Sequence, residues 1–165
     1  MFALLCFVGR CPKHVPRVPD SSRVAEDVVR VLAKNPSAVT LRGMNTYLVS
    51  RGMSRFLIDS GDGRRKEFAA ILKRTMREGG CERLSGILVT YWYPDHCGGI
   101  ELVRETLNDR TIKAYKMVRK TKDEVSAVEE EEGGGGKQKF RHYVDMCDVF
   151  KCEGAMLREM HTPGH

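Results

Sequence analysis

Gly86-Ile87-Leu88-Val89-Thr90-Tyr91-Trp92-Tyr93-Pro94-Asp95-His96-Cys97-Gly98-Gly99 is the stretch from which the organisation of the chain can be read. Residues 86–90 are short, β-branched and apolar, as expected of a strand buried between layers. A polar loop follows at once, and Gly98-Gly99 opens a helical pattern through Ile100, Leu102, Val103 and Leu107. Asp95 and His96 thus fall at the C-terminal end of a buried strand, where a carboxylate and an imidazole are costly to desolvate without partners. The glycines permit a tight turn into a helix whose N-terminus adds positive potential. Metal ligation is one physical remedy for such a pair.

Upstream, Val28 to Leu32, Thr46 to Val49 and Phe56 to Asp59 are short β-rich runs separated by turn chemistry at Asn35-Pro36-Ser37, Gly43 and Arg51-Gly52. From Arg64 to Glu78, Phe68, Ile71, Leu72 and Met76 recur at helical spacing, basic residues fill the other faces, and Gly79-Gly80 closes the segment. This predicts a surface helix. Downstream, Ile112 to Val118 resumes strand character. The order β-α-β-loop-α-β predicts an α/β layered architecture. Residues 119–139, with four glutamates at 129–132 and four glycines at 133–136, read as a flexible surface insertion. Strand-like sequence returns from Phe140 to Lys151 and from Met156 to Met160.

The 165 residues form one domain of ordinary size, 41% hydrophobic, with 28 basic residues against 22 acidic, a net charge of +6. The basic excess lies in the first hundred residues, which carry +7 against −1 for the remainder. A solvated basic face accounts for such a bias, and charge alone does not establish nucleic-acid binding. The longest apolar run, Phe2 to Val8, is far short of the roughly 18 to 20 residues of a membrane-spanning helix, so no membrane partner is expected. Residues 1–21 form a leader or tail; the stretch before Asp20 holds Arg10, Lys13 and Arg17 without an acid, and prolines at 12, 16 and 19 interrupt any amphipathic helix. A mitochondrial address and a frayed tail both fit it. Six scattered cysteines in a chain of this size point to a reduced compartment. Cys6/Cys11 and Cys147/Cys152 share a spacing that a four-thiolate zinc site uses, but the second pair sits in strand-like sequence with its side chains on opposite faces.

The loop resembles the Thr-His-x-His-x-Asp-His-x-Gly-Gly motif of the metallo-β-lactamase superfamily. Asn35-Pro36-Ser37, Gly43-Met44-Asn45-Thr46-Tyr47-Leu48-Val49, Leu57-Ile58-Asp59-Ser60-Gly61 and His161-Thr162-Pro163-Gly164-His165 fall in the order found in its beta-lactamase-like protein 2 subgroup. The similarity covers residues 22–165 apart from the insertion. It implies the N-terminal portion of a four-layer αββα sandwich with a metal site at the strand ends, and a chain shorter than its relatives. In the family the first zinc takes the two loop histidines and the last histidine of the Thr-Pro-Gly-His segment. Here only His165 remains of those three, because Tyr91 and Tyr93 stand at the loop positions. The second zinc takes the loop Asp and His, here Asp95 and His96, with two later ligands that would lie beyond residue 165. Asp95 would also help hold the attacking water.

The resemblance implies a zinc-dependent hydrolase of single-stranded RNA in the mitochondrial matrix; the composition allows a cytoplasmic protein equally. The phenols alter that expectation. Neutral imidazole offers a lone pair near pH 7, whereas a phenol of pKa near 10 must first ionise, at about 4 kcal/mol per residue before any metal compensates. Zinc is thus expected to be absent or weakly held and hydrolysis lost or impaired. The alternatives are a non-catalytic form that binds single-stranded RNA, a second copy or a full-length relative, and a fragment of a longer active hydrolase. Trp92 is expected to be buried as a loop anchor, with stacking on a nucleic-acid base as the alternative. His14 and His142 are read as solvent-facing or structurally satisfied, and Gly98-Gly99 alone is weak evidence for a phosphate cradle.

Overall fold

The computed structural model describes residues 15–117, 142–144 and 148–158. The leader through residue 14, the insertion at 119–139, Cys6, Cys11, Cys147, His161 and His165 lie outside the described residues. Four strands, β1 (Ser21–Ala25), β2 (Val28–Leu32), β3 (Asn45–Val49) and β4 (Ser54–Ile58), form an antiparallel meander. From β4 onward the sheet is parallel: β5 (Arg83–Val89), β6 (Ala114–Met117) and β7 (His142–Val144) add in chain order to give seven strands. Parallel neighbours need a crossover. Helix α1 (Lys66–Glu78) supplies it between β4 and β5, and the single turn α2 (Pro94–Cys97) with helix α3 (Ile100–Leu107) supplies it between β5 and β6.

Both crossover helices lie on one face of the sheet, where their apolar stripes meet alternate strand residues. Phe68, Ile71, Leu72 and Met76 from α1 and Ile100 and Val103 from α3 pack on Val31, Leu48, Leu57, Ile87 and Val89. Each fully buried side chain of this kind contributes about 1.5–3 kcal/mol relative to exposure. Arg55 points to the same face and is buried. Its guanidinium donates to the carbonyls of Gly52, Arg51 and Gly79, so it neutralises the carbonyl end of α1.

The opposite face carries Tyr47, Val49, Phe56, Ile58, Leu88 and Tyr115 by register. A hairpin of β8 (Val149–Cys152) and β9 (Ala155–Arg158) lies against it through Phe150, whose ring is 5.8 Å from Phe56 and 5.0 Å from Tyr115. Gly86 makes that contact fit, since a Cβ there would stand 2.8 Å from the Tyr115 ring. The result is a helix layer, a large mixed sheet and the beginning of a second sheet. Strand β1 was not expected from the sequence; Ser-Ser-Arg-Val-Ala shows no buried alternation because it is an edge strand, largely exposed. Among the described residues no helix is long and apolar enough to cross a membrane.

Candidate metal site

Parallel pairing of Ile58 with Leu88 delivers the C-terminal ends of β4 and β5 side by side, and the next residues are Asp59 and Thr90. Asp59 is 5% exposed and sits at φ 58°, the left-handed region that Asp tolerates better than most side chains. Its N–H extends the ladder to Leu88 O at 2.9 Å. That turn aims the carboxylate across the strand ends, where Oδ1 accepts the Thr90 N–H at 2.8 Å and Oδ2 accepts the Thr90 hydroxyl at 2.7 Å. Oδ2 also meets His96 Nδ1 at 3.0 Å.

This last contact decides the imidazole. With Nδ1–H donating to a buried carboxylate, the neutral ring keeps its lone pair on Nε2. Nε2 in turn faces Asp95 Oδ2 at 4.0 Å. The hydrogen bond that His96 donates to Asp59 holds the His96 pKa above its ordinary value of 6.5; burial opposes this, and the charges of Asp59 and Asp95 add to it. The remedy for the desolvated Asp and His at the strand end is therefore partly internal: His96 is satisfied by Asp59, a residue that sequence reasoning placed in a motif but not in the site. The available signal was an Asp directly after the apolar run Phe56-Leu57-Ile58.

The loop is clamped to the segment after β4. Ser60 N–H and Oγ–H both donate to His96 O, at 2.7 and 3.1 Å, and Gly99 N–H donates to Gly61 O at 2.9 Å. A Cβ on Gly99 would stand 1.9 Å from Ser60 O, and one on Gly98 2.8 Å from Asp62 O. The glycine pair thus answers to close backbone approach rather than to a phosphate. Cys97 is buried beneath the loop, where its thiol lies 3.3 Å from Tyr93 O and burial raises its pKa.

Tyr91, Trp92 and Tyr93 form an aromatic cluster at the loop tip. The Tyr93 ring lies 4.6 Å from both Tyr91 and Trp92, and Tyr91 lies 5.7 Å from the His96 ring. Trp92 is 44% exposed and Tyr93 47%. The expected burial of Trp92 as a loop anchor is therefore corrected: Pro94 turns the chain into α2 immediately after the cluster, and the rings cover one another beyond the strand ends instead of entering the core.

The donor set can be tested against zinc. Among the described residues no group of three or more His, Cys, Asp or Glu side chains could hold a metal ion. The structure brings Asp95 and His96 together, and His165 lies outside the described residues. Two ligand atoms of a tetrahedral zinc stand about 3.4 Å apart; Nε2 and Oδ2 are 4.0 Å apart. Among the described residues this pair beside two phenols does not by itself make a zinc centre of three protein ligands and a water. A cavity of about 410 Å³ lined by Met53, Ser54, Arg83, Ser85 and Lys151, among others, opens at the other end of β4 and β5, away from these residues.

No protein-family profile matches the chain. Its structure superposes on the native FEZ-1 metallo-beta-lactamase of Legionella gormanii with a TM-score of 0.60 at 16% identity, over 92% of this chain and 56% of that one. The chain has the metallo-β-lactamase fold. In the sandwich of that fold it supplies the N-terminal portion: the α1–α3 layer, the large sheet and the first hairpin of the facing sheet. In sequence it is similar to a beta-lactamase-like protein 2 homolog of Caenorhabditis elegans, 35% identical over 144 residues, 87% of this chain and 44% of the relative. It is also similar to an atrochrysone carboxyl ACP thioesterase, nsrC, of Aspergillus novofumigatus, 34% identical over 152 residues, 92% of this chain and 41% of the relative. The chain spans less than half the length of these curated relatives. Zinc is the metal implied by the metallo-β-lactamase neighbours, and Asp95 and His96 stand where the fold brings its strand ends together.

Proposed function

We propose that this chain is a metallo-β-lactamase-like protein derived from a zinc-dependent hydrolase, and that its own loop does not build the hydroxide-generating centre, so that hydrolysis is lost or impaired. One observation carries the reading. Tyr91 and Tyr93, at the positions of the two imidazole ligands, pack edge to face against each other, and among the described residues Asp95 and His96 are what remains of the family's ligand set, with His96 Nδ1 already held by Asp59. Neutral imidazole offers a metal a lone pair that a protonated phenol does not offer in the same way. A divalent zinc with two protein ligands binds weakly, and without firm binding it does not lower the pKa of water at this site.

Two substrate classes are candidates for the ancestral activity. Single-stranded RNA is the substrate implied by the sequence motifs' resemblance to the beta-lactamase-like protein 2 subgroup, and the name of the fungal relative offers a carrier-protein thioester as the comparison. The test is zinc analysis of the purified chain together with cleavage assays on an RNA oligonucleotide and an acyl thioester. Substoichiometric zinc and no chelator-sensitive turnover are expected; one zinc per chain with chelator-sensitive cutting would overturn the reading.

A second reading has its own observation. On the sheet face opposite the helices, Tyr47, Ile58 and Tyr115 keep part of their surface open beside Phe150. Such a face supports pairing with a second copy or with a full-length relative. A monodisperse monomer by light scattering, indifferent to the relative, would remove this reading.

A further inference from the structure

The cavity at the far end of β4 and β5 is lined by charges of both signs that do not neutralise one another. We infer that it is a binding site for a small zwitterion of the amino-acid or dipeptide class, its carboxylate taken by Arg83 and Lys151 and its ammonium by Glu82 and Glu153. The site lies where the two strands begin, opposite Asp59 and His96, so it stands whether or not the loop holds zinc.

The walls are set by backbone and side-chain bonds. Ser54 pairs with Arg83 where the parallel β4–β5 ladder starts, and the turn of the β8–β9 hairpin lies across that end. There Glu153 Oε2 accepts the Met53 N–H at 2.9 Å, and the Glu153 carbonyl accepts the Ser50 hydroxyl. The space between, about 410 Å³, is within the range of pockets that bury small organic molecules. On its wall the hydroxyls of Ser54 and Ser85 meet at 2.6 Å. That pair uses one hydroxyl hydrogen and leaves the other, with oxygen lone pairs, for a guest.

Charge selects the guest. Arg83, Lys151, Glu82 and Glu153 all line the cavity, and among the described residues no ion pair joins either cation to either carboxylate. Elsewhere on the surface opposite charges do close on one another: Arg51 with Glu26 and Asp27, Lys34 with Asp20, Arg104 with Glu101. A simple anion would meet two carboxylates here and a simple cation two cationic groups, and like charges repel. A molecule carrying both signs matches both pairs. The guanidinium offers its planar fork to a carboxylate, and the protein carboxylates accept from an ammonium. All four charged residues are exposed, so a guest reaches them without opening the sheet. Their hydration has to be displaced, which keeps the affinity modest.

The experiment is titration of the isotope-labelled full chain with glycylglycine at neutral pH, read as backbone amide shifts by nuclear magnetic resonance. N-acetylglycylglycine and glycylglycinamide serve as relatives that keep only the carboxylate or only the ammonium. Saturating shifts at Met53, Ser54, Arg83 and Lys151 are expected, with half-saturation on the order of 1 mM and each single-charge relative at least about fivefold weaker. Arg83→Gln and Glu82→Gln should each weaken glycylglycine binding by a similar factor, and Arg83→Lys should retain more of it than Arg83→Gln. Both positions are exposed, and unchanged far-ultraviolet circular dichroism checks the fold. Absence of saturating shifts at these amides, equal binding of the three probes, or binding unchanged in either glutamine variant overturns the inference. Shifts confined to residues 91–96 overturn it as well.

Discussion

Replacing Asp59 tests the geometry on which the site depends. Its carboxylate accepts the Thr90 N–H, the Thr90 hydroxyl and the His96 Nδ1–H at 2.8, 2.7 and 3.0 Å while itself nearly buried. Asp59→Ala leaves all three donors without this acceptor. Thr90 is exposed, so its hydroxyl can turn to water. The backbone N–H and the imidazole are left, each costing about 1–3 kcal/mol when unsatisfied, and a total loss of about 2–6 kcal/mol is expected. Asp59→Asn keeps an acceptor for the Thr90 N–H but presents an amide N–H₂ to Nδ1, which moves the imidazole proton to Nε2; a loss of about 1–2 kcal/mol is expected.

The pH dependence follows from the raised His96 pKa. Because the folded chain holds the imidazole proton more tightly than the unfolded one, the stabilisation is fully present below the unfolded value of about 6.5 and fades as pH rises through the folded value. The gap between wild type and Asp59→Asn should therefore be wider at pH 6 than at pH 9. Urea unfolding followed by circular dichroism at both pH values measures it. A loss under about 1 kcal/mol for Asp59→Ala, or a gap that does not change with pH, would refute the reasoning.

Gly99→Ala should cost about 3 kcal/mol or more, because its Cβ would meet the Ser60 carbonyl at 1.9 Å, whereas Gly80→Ala, at φ 67° with open space around it, should cost only about 1 kcal/mol; urea midpoints compare them. Arg55→Met should lose about 2–3 kcal/mol by stranding the Gly79 carbonyl at the end of α1, seen as faster hydrogen exchange in the last turn of that helix. Cys81 and Cys97 are buried with pKa values raised by desolvation, so both should react with a thiol reagent at pH 8 much more slowly in the folded chain than in urea. Tyr91→His/Tyr93→His should restore imidazole donors and raise zinc affinity at least about tenfold, as measured by competition with a chromophoric chelator.

The parallel half of the sheet was legible because its signals are local. The apolar spacing of Phe68, Ile71, Leu72 and Met76 predicted a helix over 64–78, and α1 occupies Lys66–Glu78 between two parallel strands. The resemblance singled out Asp95 and His96, and the structure sets His96 against Asp59 at the strand ends. What escaped depends on partners distant in sequence. Asp59 acts on His96, 37 residues away, and Arg55 on a helix end 24 residues away; a charged residue inside a strand gives no sign of which carbonyls it will find. Trp92 was misplaced for a related reason: aromatic size favours burial, but Tyr91 and Tyr93 supply that contact outside the core.

The chain has a single tryptophan, and it stands half exposed at the loop tip, 4.6 Å from Tyr93 and 6.1 Å from Tyr91. Its emission is consequently a gauge of the loop and not of the packing around Phe68 and Leu72. Loops open at lower free energy than cores. Fluorescence should fall earlier in urea than circular dichroism does, and two non-coincident curves here would report a local release at the strand ends without implying a folding intermediate.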